Sequence, residues 1–178
     1  MKKVIVLGVS AGVGKSTFAK KLGELLHMNV CHLDSLFWKP GWTKTESDEF
    51  KIAQQNFIDT HRKWIIEGNY SSTYDLREKQ ADTIIYLQLP LIVCLYRVIK
   101  RWLKNRGKTR SDMGKDCPEK LDWEFIRFIC TTYHRRKKKM AERFKKFRAK
   151  RLDNKVYILK SKQEIRSFLN EIASNSKT

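Results

Sequence analysis

The sequence predicts a three-layer α/β fold built on a five-stranded parallel sheet. Short apolar segments rich in Val and Ile alternate with longer segments in which apolar residues recur at helical spacing. Strands that alternate with helices in this way form parallel βαβ units. At 178 residues the chain is long enough for one such domain with a sizeable core. We therefore expect a single domain over residues 1–178.

The first predicted strand ends in a glycine-rich turn. Residues 4–17 read VIVLGVSAGVGKST, and the spacing predicts a helix from Ser16 to about His27. Such a turn surrounds phosphate oxygens with backbone N–H groups, while its lysine neutralises charge and its hydroxyl holds Mg²⁺. The segment therefore predicts a binding loop for ATP and Mg²⁺. The residues expected to bind the triphosphate are Gly12, Val13, Gly14, Lys15, Ser16 and Thr17.

The loop departs by one residue from the usual spacing G-x-x-x-x-G-K-[ST]. That spacing would put the first glycine at position 9, where the chain has Val9, and the glycine is instead Gly8. Gly12 and Gly14 still allow positive φ angles and a close approach of the backbone to phosphate. We expect the extra residue to bulge between Val9 and Ala11 and to leave the following phosphate nest intact.

Acidic residues lie at the carboxyl ends of the next two predicted strands, which cover residues 29–33 and 63–67. In open α/β sheets the ligand crevice lies outside the carboxyl ends of the strands, so we expect Asp34 and Glu67 there. Asp34 would orient an acceptor hydroxyl toward a γ-phosphate, or it would only cap the following turn. Glu67 would hold Mg²⁺ together with Ser16.

Three further residues complete the predicted substrate site. Trp38 belongs to the aromatic turn WKPGW at residues 38–42, which would wall a pocket or cover one end of the core. Gly68 would let substrate approach the backbone and Asn69 would hydrogen-bond it, although Gly-Asn also favours a tight turn.

Two capping-box patterns predict helix starts. Thr45-x-x-Asp48 precedes a helical stripe that we expect to form a flap over the acceptor, and Ser161-x-x-Glu164 precedes the last helix.

Most of the positive charge lies in one region. The net charge is +19, and residues 97–151 hold 21 Lys and Arg against 6 Asp and Glu, a net +15. We expect a helical, basic lid around residues 104–120. Arg97 and Arg101, on the basic helix before it, and Arg110, within it, are candidate catalytic phosphate clamps beside Lys15 and Asp34. A long basic helix is expected over about 119–151. Polyanions are the natural partners of this surface, and charge alone does not choose among triphosphates, nucleic acid and membrane.

The cysteines and the hydropathy bear on location. The 4 cysteines form no C-x-x-C pair, which indicates a reduced, cytoplasmic protein. No apolar run approaches the roughly 18 to 20 residues that span a membrane. The sequence does not determine whether the protein is a monomer or a dimer.

The sequence resembles the small P-loop kinases of the adenylate kinase and shikimate kinase type, and most strongly the bacterial branch of DNA-topology modulation proteins, which are related to adenylate kinase. The segments that carry the resemblance are GVSAGVGKSTFAKKL (8–22), HLD (32–34), WKPGW (38–42), WIIEGNY (64–70), ADTIIYL (81–87) and RGKTRSDMGKDCPEKLDW (106–123).

The resemblance implies the strand order 2-3-1-4-5, a flap between the first strands and an arginine-bearing lid. It also implies ATP and magnesium at the glycine-rich loop and an acceptor at Asp34. The chain departs from these kinases in its loop spacing, in a flap without an evident arginine for a nucleoside monophosphate, and in Gln88, which stands where an acid is possible.

Three functions are compatible with the sequence, and one of them is a nucleotide-binding module without catalytic activity. The first is an ATP-dependent phosphotransferase acting on a nucleoside, nucleotide or other small molecule. The alternative is an ATP-regulated nucleic-acid-binding protein that affects DNA topology through residues 97–151.

Overall fold

The computed structural model describes residues 1–175. In chain order the elements are β1 (Lys3–Gly8), α1 (Lys15–Leu26), β2 (Asn29–His32), α2 (Leu33–Phe37), β3 (Trp38–Lys39), β4 (Thr43–Lys44), α3 (Ser47–Thr60), β5 (Trp64–Glu67), α4 (Tyr74–Glu78), β6 (Thr83–Leu87), α5 (Leu91–Lys104), α6 (Trp123–Lys150), β7 (Lys155–Leu159) and α7 (Lys162–Asn175). The 3-10 turn Pro40–Trp42 joins β3 to β4, which pair antiparallel to form a hairpin over residues 38–44.

The five longer strands form one parallel sheet in the order β2-β5-β1-β6-β7. Numbered among themselves, these strands follow the order 2-3-1-4-5, so the predicted fold class is confirmed. The central strands β1, β5 and β6 are buried almost throughout. They are continuous apolar runs because helices cover both of their faces.

Aromatic side chains pack the helices against the sheet. On one face, α1 and α7 contact each other, with the rings of Phe18 and Phe168 at 6.1 Å. On the other, α5 contacts α6, and the Tyr86 ring of β6 lies 5.2 Å from the Phe144 ring of α6. This arrangement directs the carboxyl ends of β1, β2 and β5 to one edge of the sheet.

The long basic helix begins later than predicted. It starts at Trp123 instead of about residue 119, because Asp122 caps it by accepting a hydrogen bond from the Phe125 N–H at 2.8 Å. Ahead of it, isolated bridges pair Arg106 with Glu119 and Thr109 with Pro118. The lid segment, defined here as residues 105–122, is therefore a loop held between the helices α5 and α6, and the expectation of a helical lid around residues 104–120 is wrong.

Of the two predicted capping boxes, one is confirmed and one is wrong. Glu164 N–H donates to Ser161 Oγ at 3.0 Å. Thr45 Oγ1 instead donates to the Leu36 carbonyl oxygen at 2.8 Å, and α3 begins after Glu46 without a side-chain cap. Within residues 1–175, every helix is too short or too polar to cross a bilayer.

Candidate active site

The glycine-rich loop occupies the turn between β1 and α1. Val9 N–H donates to the Leu87 carbonyl oxygen at 2.9 Å, so the pairing with β6 continues past β1 and the irregular backbone begins at Ser10. Gly12 and Gly14 have φ angles of 75° and 100°. This left-handed conformation is costly for any residue with a Cβ. A Cβ at Gly12 would also overlap the Cys94 carbonyl oxygen.

The glycine-rich loop contains a buried hydroxyl group and leads into the N-terminus of α1. The first turn of α1 follows Gly14 and receives no side-chain cap. Among the described residues, the fully buried Ser10 Oγ has no hydrogen-bond partner. Two arginines donate hydrogen bonds to carbonyl oxygens of the same loop. Arg97 donates to the Val13 oxygen at 3.0 Å, and Arg136 donates to the Val9 oxygen at 3.3 Å. The loop can therefore offer N–H groups to an anion, as helix N-termini commonly do.

Glu67 lies at the centre of the site, with its side chain 2% exposed. Its Oε1 is 3.6 Å from Lys15 Nζ, and its Oε2 accepts from Ser16 Oγ at 3.1 Å and lies 3.1 Å from His32 Nδ1. Burial acts to raise the pKa of Glu67, but Lys15, His32 and Ser16 together hold this pKa below its ordinary value. The parallel register explains the contact with His32, since the two residues are partners in the β2–β5 pairing.

Asp34 lies in the first turn of α2, next to this cluster. The Tyr70 hydroxyl donates to Asp34 Oδ1 at 2.6 Å, and the Trp38 side chain lies close to Tyr70. Burial and then the charge of Glu67 raise the pKa of Asp34, against the opposing effects of Lys15, Tyr70 and Arg110. A carboxylate with a raised pKa and a fixed orientation is suited to accept a proton.

Gly68 and Asn69 hold neighbouring strand ends together. The Asn69 side chain accepts from Gly8 N–H at 3.0 Å and donates to the Gly8 carbonyl oxygen at 2.8 Å, which joins the end of β5 to that of β1. The space beside Gly68 is filled by Leu33, since a Cβ there would lie 2.8 Å from Leu33 Cβ. Contact of Gly68 and Asn69 with a substrate stays a prediction.

Arg77 is a residue that the sequence analysis missed. Its side chain is fully buried and donates to the carbonyl oxygens of Gly68 at 3.1 Å and Tyr70 at 2.8 Å. It also donates to Thr73 and to Gln54. Burial lowers the pKa of Arg77 to about 10. The guanidinium thus holds the loop that carries Tyr70 to Asp34.

The predicted arginine clamps are tied to acids or to the loop. Arg101 lies 2.7 Å from Glu119 Oε1, and Arg110 lies 3.4 Å from Glu119 Oε2 and 3.2 Å from Asp112. Burial acts to raise the pKa of Asp112, but Arg110 and the nearby Ser16 side chain hold this pKa below its ordinary value. The lid segment therefore reaches the glycine-rich loop through Asp112. Sequence analysis had not identified either acid, because both stand among basic residues.

The lid segment is docked on the hairpin. Gly41 N–H donates to the Asp116 carbonyl oxygen at 3.2 Å, and the Trp42 indole donates to that of Pro118 at 3.1 Å. A Cβ at Gly114 would overlap the carbonyl oxygen of Trp38. Trp38 thus contacts the lid through its backbone and Tyr70 through its side chain. Within residues 1–175, no group of three or more His, Cys, Asp and Glu residues has a metal-binding arrangement.

Comparison with known proteins shows which structures have this fold. Shikimate kinase from Bacteroides thetaiotaomicron has a TM-score of 0.54 and 16% identity, with 98% of each chain covered. Shikimate kinase from Acinetobacter baumannii, solved with shikimate, has a TM-score of 0.54 and 17% identity over 98% of this chain and 93% of that one. A gluconokinase from Sinorhizobium meliloti 1021 has a TM-score of 0.52 and 13% identity, with 99% of this chain and 91% of that one covered. At these low sequence identities, the similarity shows the fold alone.

A curated relative by sequence is YqaC of Bacillus subtilis strain 168, which is described as uncharacterized. It is 27% identical over 107 residues, and this match spans 60% of the chain and 60% of YqaC. No family model matches the chain. The chain accordingly has the fold of the small P-loop kinases, with a glycine-rich loop, a carboxylate cluster and a basic lid at one edge of its sheet.

Proposed function

We propose that the protein is an ATP-dependent phosphotransferase that binds Mg·ATP at residues 12–17 and an acceptor hydroxyl beside Asp34. The observation that carries this proposal is the position of the Asp34–Tyr70 pair at the same sheet edge as the Lys15–Glu67–Ser16 cluster. A proton acceptor and a phosphate site must be adjacent for phosphoryl transfer, which depends mainly on positioning and on charge stabilisation.

The residues present fit a triphosphate and a magnesium ion. Gly12 and Gly14 adopt the backbone angles of a phosphate nest, and buried Ser10 Oγ lacks a partner within the described part of the chain. The Ser16 hydroxyl and Glu67 carboxylate are oxygen donors of the kind that Mg²⁺ prefers, and they would hold it. When bound, Mg²⁺ neutralises phosphate charge.

The protein's own side chains would then accept the proton, orient the reacting groups and stabilise the transferred charge. Asp34 takes the proton of the acceptor hydroxyl, and Tyr70 keeps its carboxylate oriented. Lys15 stabilises the charge on the transferred group, and Arg101 of α5 and Arg110 of the lid segment, which Glu119 holds together, would add their charge on the phosphate side. Arg97 holds the loop backbone through Val13.

The proposal is tested by ADP formation with ATP, Mg²⁺ and a broad panel of hydroxyl acceptors. Asp34→Asn should lower turnover by about 100-fold or more, because a positioned general base contributes about 10²–10⁴. ATP affinity should stay within about twofold, since ATP is held elsewhere. Asp48→Asn is the matched control, because Asp48 is exposed on α3. Wild-type protein that forms no ADP with any acceptor would remove the proposal.

Nucleic-acid binding is a second candidate function, favoured by the outer face of α6. Arg136 and Arg143 of this helix turn inward, to Val9 and to the Tyr74 ring. The basic residues left exposed to solvent include Arg135, Lys138, Lys139, Lys145 and Lys146. This surface would bind the phosphate backbone of a nucleic acid. A role in DNA topology belongs to this proposal. We also propose a cytoplasmic location.

Duplex DNA affinity measured against salt concentration tests this candidate. Lys138→Glu with Lys145→Glu should weaken binding and flatten the salt dependence, by about 0.9 in the log–log slope for each phosphate that is no longer neutralised. Lys20→Glu with Lys21→Glu is the control, because these exposed lysines lie on α1. Binding that is absent or insensitive to salt would exclude a nucleic-acid partner.

A further inference from the structure

The acceptor side of the site consists of three aromatic rings and the Asp34 carboxylate, and this group of side chains is called the aromatic wall. The Phe37 ring lies 4.7 Å from the Tyr70 ring and 5.0 Å from the Trp38 ring, measured between centroids. These rings are half-buried, as is Asp34, whose Oδ1 accepts from Tyr70. Such a wall offers apolar faces and hydrogen bonds to a ligand, but no positive charge.

The flap supplies no cation to this wall. Residues 33–60 contain three lysines and no arginine. Lys39 pairs with Glu49 at 2.6 Å and Lys51 with Asp48 at 2.9 Å, both on the outer surface. The third, Lys44, is exposed on the hairpin. An anionic group on the acceptor would therefore find no partner from these elements.

Cations on the other elements around the site are already occupied. Lys15 faces Glu67 and the phosphate loop, and Arg77 is buried with its N–H groups on carbonyl oxygens. Arg101 and Arg110 share the carboxylate of Glu119, and Arg110 also faces Asp112. His32 lies against Glu67 as well. Each of these described cations thus faces an acid or donates to carbonyl oxygens, as Arg97 does to Val13, and none of them is directed to an anionic group on the acceptor.

We infer that the acceptor is an uncharged hydroxyl compound, such as a nucleoside, a sugar or a polyol, and that phosphorylated or carboxylated compounds are poor acceptors. This inference rests on the proposed phosphotransferase function. In the reaction, the acceptor oxygen forms a bond to the γ-phosphorus and the bond from that phosphorus to the β–γ bridging oxygen breaks. The hydroxyl proton passes to Asp34, and ADP leaves with the electron pair.

The test compares matched acceptors that differ by one anionic group, under Mg²⁺ and saturating ATP. Suitable pairs are adenosine and AMP, glucose and glucose 6-phosphate, and glycerol and glycerol 3-phosphate. ADP formation and the phosphorylated product are both measured. We expect kcat/KM to favour the neutral member by about 10-fold or more, because the anion meets Asp34 without a counter-charge.

The possible outcomes separate this inference from the proposed function. Equal or greater turnover of the anionic members would overturn the inference and leave the phosphotransferase intact. Absence of turnover with every pair would overturn both.

A charge-introducing variant gives an independent measurement. Trp38→Arg places a guanidinium beside Tyr70, and Trp38→Gln removes the same ring without adding charge. The ratio of anionic to neutral kcat/KM should rise about 10-fold in Trp38→Arg relative to Trp38→Gln, with circular dichroism confirming that both fold. An unchanged ratio between these variants would contradict the inference.

Discussion

Lys15 and Glu67 form the contact on which the proposed phosphate site depends. Glu67 is buried, and an ionised buried carboxylate requires a compensating charge and hydrogen bonds. Lys15, Ser16 and His32 supply them. The same lysine and hydroxyl are the groups expected to face phosphate and magnesium, so the acid holds both in position before any ligand arrives.

Replacement of Lys15 tests the phosphate site. Lys15→Ala should weaken ATP binding about 10- to 100-fold, because a hydrogen bond to a charged group contributes about 1.5–3 kcal/mol. Isothermal titration calorimetry measures the affinity, with Lys20→Ala as a control at an exposed position of the same helix. Unchanged affinity in Lys15→Ala would show that the triphosphate does not bind at this loop.

Replacement of Tyr70 tests the role of Asp34 through pH. The Tyr70 hydrogen bond lowers the pKa of Asp34, so Tyr70→Phe should raise it. Asp34 must be ionised to accept a proton, and the acidic limb of the kcat/KM profile should therefore move to higher pH. Turnover should fall more at acidic than at neutral pH. Tyr96→Phe, on the exposed face of α5, should leave the profile unchanged.

At the scale of elements, the lid segment and the hairpin form one unit over the site. Backbone atoms make most of the contacts between them, including those of Gly41 with Asp116 and of Gly114 with Trp38. Trp38 also reaches Tyr70. Movement of the lid should therefore be transmitted to the acceptor side of the site through the hairpin.

Replacing Gly114 with alanine should separate the lid segment from the hairpin, because it adds a methyl group at their contact. In Gly114→Ala the new Cβ would overlap the Trp38 carbonyl oxygen, and crowding of this kind costs about 1–3 kcal/mol. Hydrogen exchange over residues 105–122 and 38–44 should become about 10- to 100-fold faster. Lys115→Ala changes the adjacent exposed residue and should leave exchange near wild type. Equal exchange in both variants would contradict the docking contact.

At the scale of the whole molecule, Arg77 links the site to the rest of the fold. It lies in α4 and binds carbonyl oxygens of the loop after β5 and the side chain of Gln54 in α3. A buried guanidinium without a carboxylate within bonding distance is tolerated only because most of its N–H groups find acceptors. Its Nε alone lacks a partner within the described residues.

Loss of Arg77 should destabilise the protein. Arg77→Met removes the side-chain donor from the carbonyl oxygens of Gly68 and Tyr70, at about 1–3 kcal/mol for each unsatisfied buried group. The free energy of unfolding in urea should fall by about 3 kcal/mol or more. Lys79→Met, at an exposed position two residues later, should change it by less than about 0.5 kcal/mol. A wild-type midpoint in Arg77→Met would contradict the role given to these bonds.

The sheet, the glycine-rich loop and the acidic strand ends could be predicted from the sequence, because these features depend on local patterns. Apolar runs specify buried parallel strands, and glycine at positions 12 and 14 permits positive φ whatever surrounds the loop. The meeting of Asp34 and Glu67 near the loop follows from parallel strand direction alone.

Which charged side chains are buried and which are paired could not be predicted, because both depend on packing between distant segments. Arg77 in a short polar helix reads as a solvated residue, and Glu119 reads as the start of a helix. Packing instead buries Arg77 against distant carbonyl oxygens, and pairing with Arg106 draws Glu119 out of α6 to join two arginines. The partner of a charged side chain depends on contacts between segments far apart in the chain, which no local pattern records.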